Sequence, residues 1–78
     1  MQNLNQTLQQ AIALHQRGNL AAAAQLYQDI LTIDNKQSDA HNLLGAVYVA
    51  SKKFKLAEKH LLKATKYAKN YAPAHYNL

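Results

Sequence analysis

The chain has no cysteine, so neither a disulfide nor a thiolate metal site can brace it. It also has no tryptophan, one proline and two glycines. So little turn chemistry argues against a sandwich or barrel of many short strands. No apolar run approaches the ~20 residues that a membrane span needs. The opening Met1-Gln2-Asn3-Leu4-Asn5-Gln6 lacks the basic start and apolar core of a secretion signal. A soluble, cytoplasmic chain is the expectation. Acidic residues are scarce: Asp29, Asp34, Asp39 and Glu58. They form no cluster beside the scattered histidines His15, His41, His60 and His75, none of which has a His-x₃-His partner. No metal site is expected on that spacing. No Ser/His/acid arrangement and no glycine-rich phosphate loop occurs. The chain therefore reads as a non-enzyme without catalytic residues or cofactors.

What is there favours helix. Alanine, leucine, glutamine and lysine dominate, and all are good helix formers. At 78 residues the chain is one domain, spanning 1–78. A chain this short buries only roughly 60% of its unfolded surface. Leu4, Leu8, Ala11, Ile12 and His15 lie on one helical stripe. Arg17-Gly18-Asn19 interrupts it, with Gly18 as a permissive backbone position and Asn19 as an N-cap. Leu20, Ala23, Tyr27, Ile30 and Leu31 make a second stripe. After the polar turn Asp34-Asn35-Lys36-Gln37, Ser38 or Asp39 is the expected cap of a third helix carrying Leu43, Leu44, Val47 and Tyr48. Ser51-Lys52-Lys53 is a break without glycine, and Phe54, Ala57, Leu61, Ala64 and Ala68 form a fourth, core-facing stripe. Pro73 suits the first turn of a fifth helix. Links this short make neighbouring helices antiparallel.

The chain also repeats. "DAHNLLGAVY" at Asp39–Tyr48 and "APAHYNL" at Ala72–Leu78 share an Ala-His phrase, with His41 and His75 34 residues apart. Cutting at that period gives units 4–37, 38–71 and a partial 72–78. Between the first two units only Ala23 and Ala57 are identical. Sizes agree better: Ala11 aligns with Gly45, Leu14 with Tyr48, Leu20 with Phe54, Tyr27 with Leu61 and Ile30 with Ala64. Small matches small and large matches large, as a repeated packing geometry requires.

On these residues the chain resembles the tetratricopeptide repeat family, whose 34-residue helix–turn–helix unit reads W-x₂-L-G-x₂-Y…A-x₃-F…P. The second unit carries His41-x₂-Leu44-Gly45-x₂-Tyr48, then Ala57-x₃-Leu61 and Ala64. The first carries Leu14, Gly18, Ala23-x₃-Tyr27 and Asp34. The departures are Thr7 and Gln10 in place of bulky apolar residues, His41 and His75 in place of an aromatic, Asn35 and Lys69 in place of proline, and Lys52 in place of the turn glycine. The resemblance implies an all-α fold of antiparallel helix–turn–helix repeats, a fragment of a right-handed α-solenoid. It also implies a protein- or peptide-binding scaffold whose first helices line a concave groove. Groove candidates are then Leu8, Gln9, Ile12, His15, Asn42, Leu43, Ala46, Val49 and Asn77. The positions at which some members clamp a carboxylate hold Leu8, Ile12, Leu43, Pro73 and Asn77, of which only Asn77 fits. An asparagine ladder known in other members would fall on Gln9, Leu43 and Asn77, and Leu43 interrupts it.

Two further surfaces stand out. The formal net charge is +5, and seven of nine basic residues lie between Lys52 and Lys69. Lys52, Lys55, Lys59, Lys63 and Lys66 form a basic stripe expected on the convex side, where an acidic partner is the functional option. A single arginine, Arg17, makes nucleic acid an unfavoured partner. Two units and a start also fall short of the three repeats usually needed for stability. The chain is thus expected to be the N-terminal part of a longer array. The alternative is a self-assembling unit with Leu61, Tyr71, Tyr76 and Leu78 at its oligomer edge.

Overall fold

A computed structural model describes residues 4–68 of the chain. Four helices follow one another: α1 (Leu4–Gln16), α2 (Leu20–Ile33), α3 (Ser38–Ala50) and α4 (Phe54–Ala68). The described residues hold no strand. α1 packs on α2 and α3 on α4, α2 joins the two pairs by packing on α3, and α1 touches α3. The third unit and residues 69–71 of the second lie outside the described residues, and with them Tyr71, Pro73, His75, Tyr76, Asn77 and Leu78.

Both helix pairs turn in the same way. After α1, the Gly18 N–H donates to the His15 carbonyl at 3.0 Å and the Asn19 N–H to the Leu14 carbonyl at 2.9 Å. After α3, the Lys52 N–H donates to the Val49 carbonyl at 3.0 Å and the Lys53 N–H to the Tyr48 carbonyl at 2.8 Å. Each pair of bonds is a Schellman closure, which needs a left-handed residue at its apex. Gly18 supplies it at φ 85° and Lys52 at φ 64°. The repeat therefore preserves a backbone conformation where the residue types disagree. A side chain in that region costs about 1–2 kcal/mol, which Gly18 avoids and Lys52 does not.

Two expected caps are replaced. Asn19 stands at the N-cap of α2 but makes no side-chain capping bond, because its backbone is committed to closing the turn after α1. Neither Ser38 nor Asp39 caps α3. The Gln37 side-chain oxygen accepts from the Ala40 N–H at 3.2 Å, and Ser38 is the first helical residue and buried.

The core is built from Leu8, Ala11, Ala23, Tyr27, Ile30, Ala40, Leu44, Val47, Tyr48 and Ala57. Tyr27, Ile30, Leu44 and Val47 are its largest fully buried side chains. Burying each such side chain is worth about 1.5–3 kcal/mol. Gly45 lets α3 and α4 approach: a Cβ there would lie 2.7 Å from the Leu61 side chain and 3.4 Å from the Ala57 carbonyl oxygen.

The fourth stripe departs from expectation. Ala57 and Ala64 are buried, but Phe54 is 62% exposed and Leu61 36%. The reason is topological: α4 packs on α3 alone among the described helices, so only the small residues at that crossing are covered.

Candidate functional site

The described residues expected in the groove separate into three groups by burial. Leu8 is buried in the core cluster with Ala11 and is not open on the groove side. Ile12, His15, Asn42 and Leu43 are half-buried, while Gln9, Ala46 and Val49 are exposed. Gln9 and Leu43, Ile12 and Ala46, and His15 and Val49 are repeat-equivalent pairs, each 34 residues apart. His15 also meets the Tyr27 ring edge-on, with centroids 6.4 Å apart. Asn77 lies outside the described residues.

A second constellation was not visible in the sequence. His41 on α3 is 3% exposed. Its Nε2 is 2.8 Å from the Asn35 carbonyl oxygen and its Nδ1 is 3.0 Å from His60 Nδ1 on α4. A carbonyl only accepts, so Nε2 carries the proton and Nδ1 of neutral His41 is an acceptor. His60 then donates through Nδ1–H, which leaves its own Nε2 with a lone pair. The two rings stack, with centroids 5.2 Å apart. Tyr67 flanks His41 at 5.6 Å, and Tyr48 flanks His60 at 5.6 Å. Gln28 on α2 donates to the Tyr48 hydroxyl at 2.8 Å and ties the first repeat to this cluster.

Both imidazoles resist protonation. Burial, then the His41 ring, Lys59 and Lys63, push His60 down to about 4. Burial and, to a smaller extent, Lys63 lower His41, against the raising effect of its bond to the Asn35 carbonyl. Hydrogen bonding of the pair was missed because it joins residues of two helices at no regular spacing. The one available signal was that His41 replaces a packed aromatic.

This cluster floors a cleft of about 340 Å³ lined by Gln28, Leu31, Thr32, Asn35, His41, His60, Lys63 and Tyr67. α2 and α4 do not pack against each other, so the cleft opens between them above α3. The basic stripe is correspondingly divided. Lys52 sits in the turn rather than on α4, Lys55, Lys59 and Lys66 are exposed, and Lys63 is half-buried at the cleft. Lys66 Nζ lies 5.8 Å from the centre of the Tyr67 ring.

On the other side of α4, Val49, Phe54, Ala57, Glu58, Leu61, Leu62 and Thr65 line an apolar trough. Val49 is 46% exposed and Leu62 64%. Among the described residues, no group of three or more His, Cys, Asp or Glu side chains converges as a metal site would require. Nor is any of the described helices long and apolar enough to cross a membrane.

No curated protein and no solved structure matches the chain. A family model of the tetratricopeptide repeat, however, matches residues 5–78. Such repeats generally mediate protein–protein interaction and are typically not catalytic. With its paired helices, its period and its duplicated turns, the chain belongs to the tetratricopeptide repeat family.

Proposed function

We infer that the chain holds a segment of a protein partner against the face shared by α1 and α3. The observation that carries this reading is the apolar surface left at the groove positions of the two repeats, of which Ile12 and Ala46 are repeat-equivalent. Ile12 and Leu43 are half-buried, and Ala46 and Val49 are exposed. Gln9 and Asn42 place amides beside them. Such a surface suits an apolar helical segment that lays its apolar face into the groove. Peptides selected from a random library on the folded chain provide the test. Their binding should shift the NMR signals of Gln9, Ile12, Asn42, Leu43 and Ala46, and Ala46→Glu should weaken it at unchanged helicity. Footprints confined to α2 and α4 would refute the reading.

A second reading is favoured by the trough on α4. Phe54, Leu61 and Leu62 expose large apolar side chains there. A contiguous exposed apolar patch of this kind suits an association site. Two copies of the chain meeting through α4 would cover it. Sedimentation over a wide concentration range decides the point: Leu62→Glu should shift a self-associating chain to monomer, and a wild-type monomer at millimolar concentration removes the reading.

A further inference from the structure

We propose that the cleft between α2 and α4, floored by His41 and edged by Lys63, is a docking site for an acidic side chain of a protein partner. It is a second surface, separate from the face of α1 and α3. Three observations converge on it. The cleft is a true gap, because α2 and α4 do not pack against each other while both pack on α3. Its lining includes the cation of Lys63 and no carboxylate. Apart from Leu31, the rest of the lining is polar or aromatic: Gln28, Thr32, Asn35, His41, His60 and Tyr67.

The charge balance points the same way. Lys59 and Lys66 lie on α4 within one turn of Lys63, and both are exposed. An incoming carboxylate would meet the ammonium of half-buried Lys63 at the cleft, and a charge-assisted hydrogen bond there is stronger than a neutral one. The histidine pair adds a responsive element. His60 Nδ1–H stays bonded to His41 Nδ1, whose own Nε2–H stays on the Asn35 carbonyl. The lone pair on His60 Nε2 can therefore take a proton without breaking that chain. In the empty cleft Lys59, Lys63 and the His41 ring oppose this proton, and no acidic side chain faces His60 from α2, α3 or α4 among the lining residues. A bound carboxylate supplies the missing negative charge. Acid uptake by His60 and acidic-ligand binding are thus reciprocally coupled.

The test uses the full chain and an acetylated, amidated tetraglutamate peptide, with a tetraglutamine peptide and inorganic phosphate as comparisons. NMR follows the imidazole signals of His60 and His41 against pH. Tetraglutamate should shift the His60 and Tyr67 signals and raise the His60 midpoint above its peptide-free value of about 4. Tetraglutamine should do neither. Lys63→Gln should weaken peptide binding about fivefold, whereas Lys55→Gln, about 12 Å along the helix, should change it less than twofold. Equal losses in the two variants would mean diffuse attraction and overturn the site. Phosphate reproducing the His60 shift at equal concentration would overturn the assignment to an acidic side chain. Absence of any shift at His60 or Tyr67 in the wild-type chain would overturn the proposal without reliance on a variant.

Discussion

His41 and His60, 19 residues apart in sequence, share a hydrogen bond of 3.0 Å between their Nδ1 atoms across the contact of α3 and α4. Each neutral ring has one donor and one acceptor nitrogen, so a single proton satisfies the pair. Protonating both rings would set two N–H groups against each other. The pair therefore ties the second repeat's packing to its charge state.

Acid should weaken the fold through this pair. The ordinary histidine value is 6.5, and His60 in the folded chain lies at about 4. Between those values the unfolded chain binds a proton that the folded chain refuses, so stability falls as pH falls. The contribution is complete above about pH 6.5 and is lost progressively down to about pH 4. Because His60 is only partly buried, the loss should be on the order of 1 kcal/mol rather than the full value of the shift. Urea unfolding at intervals across that window measures it, and His60→Gln should flatten the slope. A level profile in the wild-type chain would show that the pair titrates alike in both states.

Gly45 and Leu61 should be energetically coupled. A Cβ at Gly45 would collide with the Leu61 side chain at 2.7 Å. Leu61 is 36% exposed and can move aside, so Gly45→Ala should change stability by less than about 1 kcal/mol, its helix propensity offsetting the displacement. In a Leu61→Ala background the clash is gone, and the same substitution should stabilise by about 1 kcal/mol. Gly45→Val should cost about 2 kcal/mol or more, since the Ala57 carbonyl is backbone and cannot yield. Thermal unfolding of the four-member cycle tests this coupling; strict additivity would contradict it.

The two turns predict opposite responses to matched substitutions. Lys52→Gly removes a side chain from a left-handed backbone and should stabilise by about 0.5–1 kcal/mol. Gly18→Ala should destabilise by about 1 kcal/mol although no atom lies within 4 Å of the added Cβ, because φ at 85° is the whole obstacle. Chemical denaturation of the two variants separates backbone conformation from packing. A stable Gly18→Ala would mean that the turn rearranges.

Leucines on α3 and α4 should differ sharply. Leu44 is fully buried, and Leu44→Ala should cost about 2–5 kcal/mol. Leu62 is 64% exposed, and Leu62→Ala should fall within about 0.5 kcal/mol of the parent. Midpoints of denaturation at low protein concentration measure both. A large cost for Leu62→Ala under those conditions would show that its face is covered.

Much of the architecture was legible. The stripes through Ala11, Ala23, Tyr27, Ile30 and Leu44 place these residues in the core, where they are found. Short polar links at Arg17-Gly18-Asn19 and Asp34-Gln37 mark the ends of helices, as observed. Caps were less legible, because Asn19, Ser38 and Gln37 can all accept from a backbone N–H and only the local path selects among them. The division of the groove was hidden for a similar reason. Leu8 and Ile12 lie one turn apart on the same stripe, and only the packing of whole helices decides that Leu8 is buried while Ile12 is half-buried.

The order of residues alone determined four amphipathic helices, their antiparallel links and the 34-residue period, since periodicity and turn chemistry act over a few residues along the chain. Tertiary structure decided which apolar residues are covered, leaving Phe54 and Leu62 exposed on a helix that packs on one neighbour among those described. It also brought His41 to His60 and opened a cleft beside Lys63. Those features depend on how far apart whole helices stand, a distance set by the volumes of side chains from several segments at once.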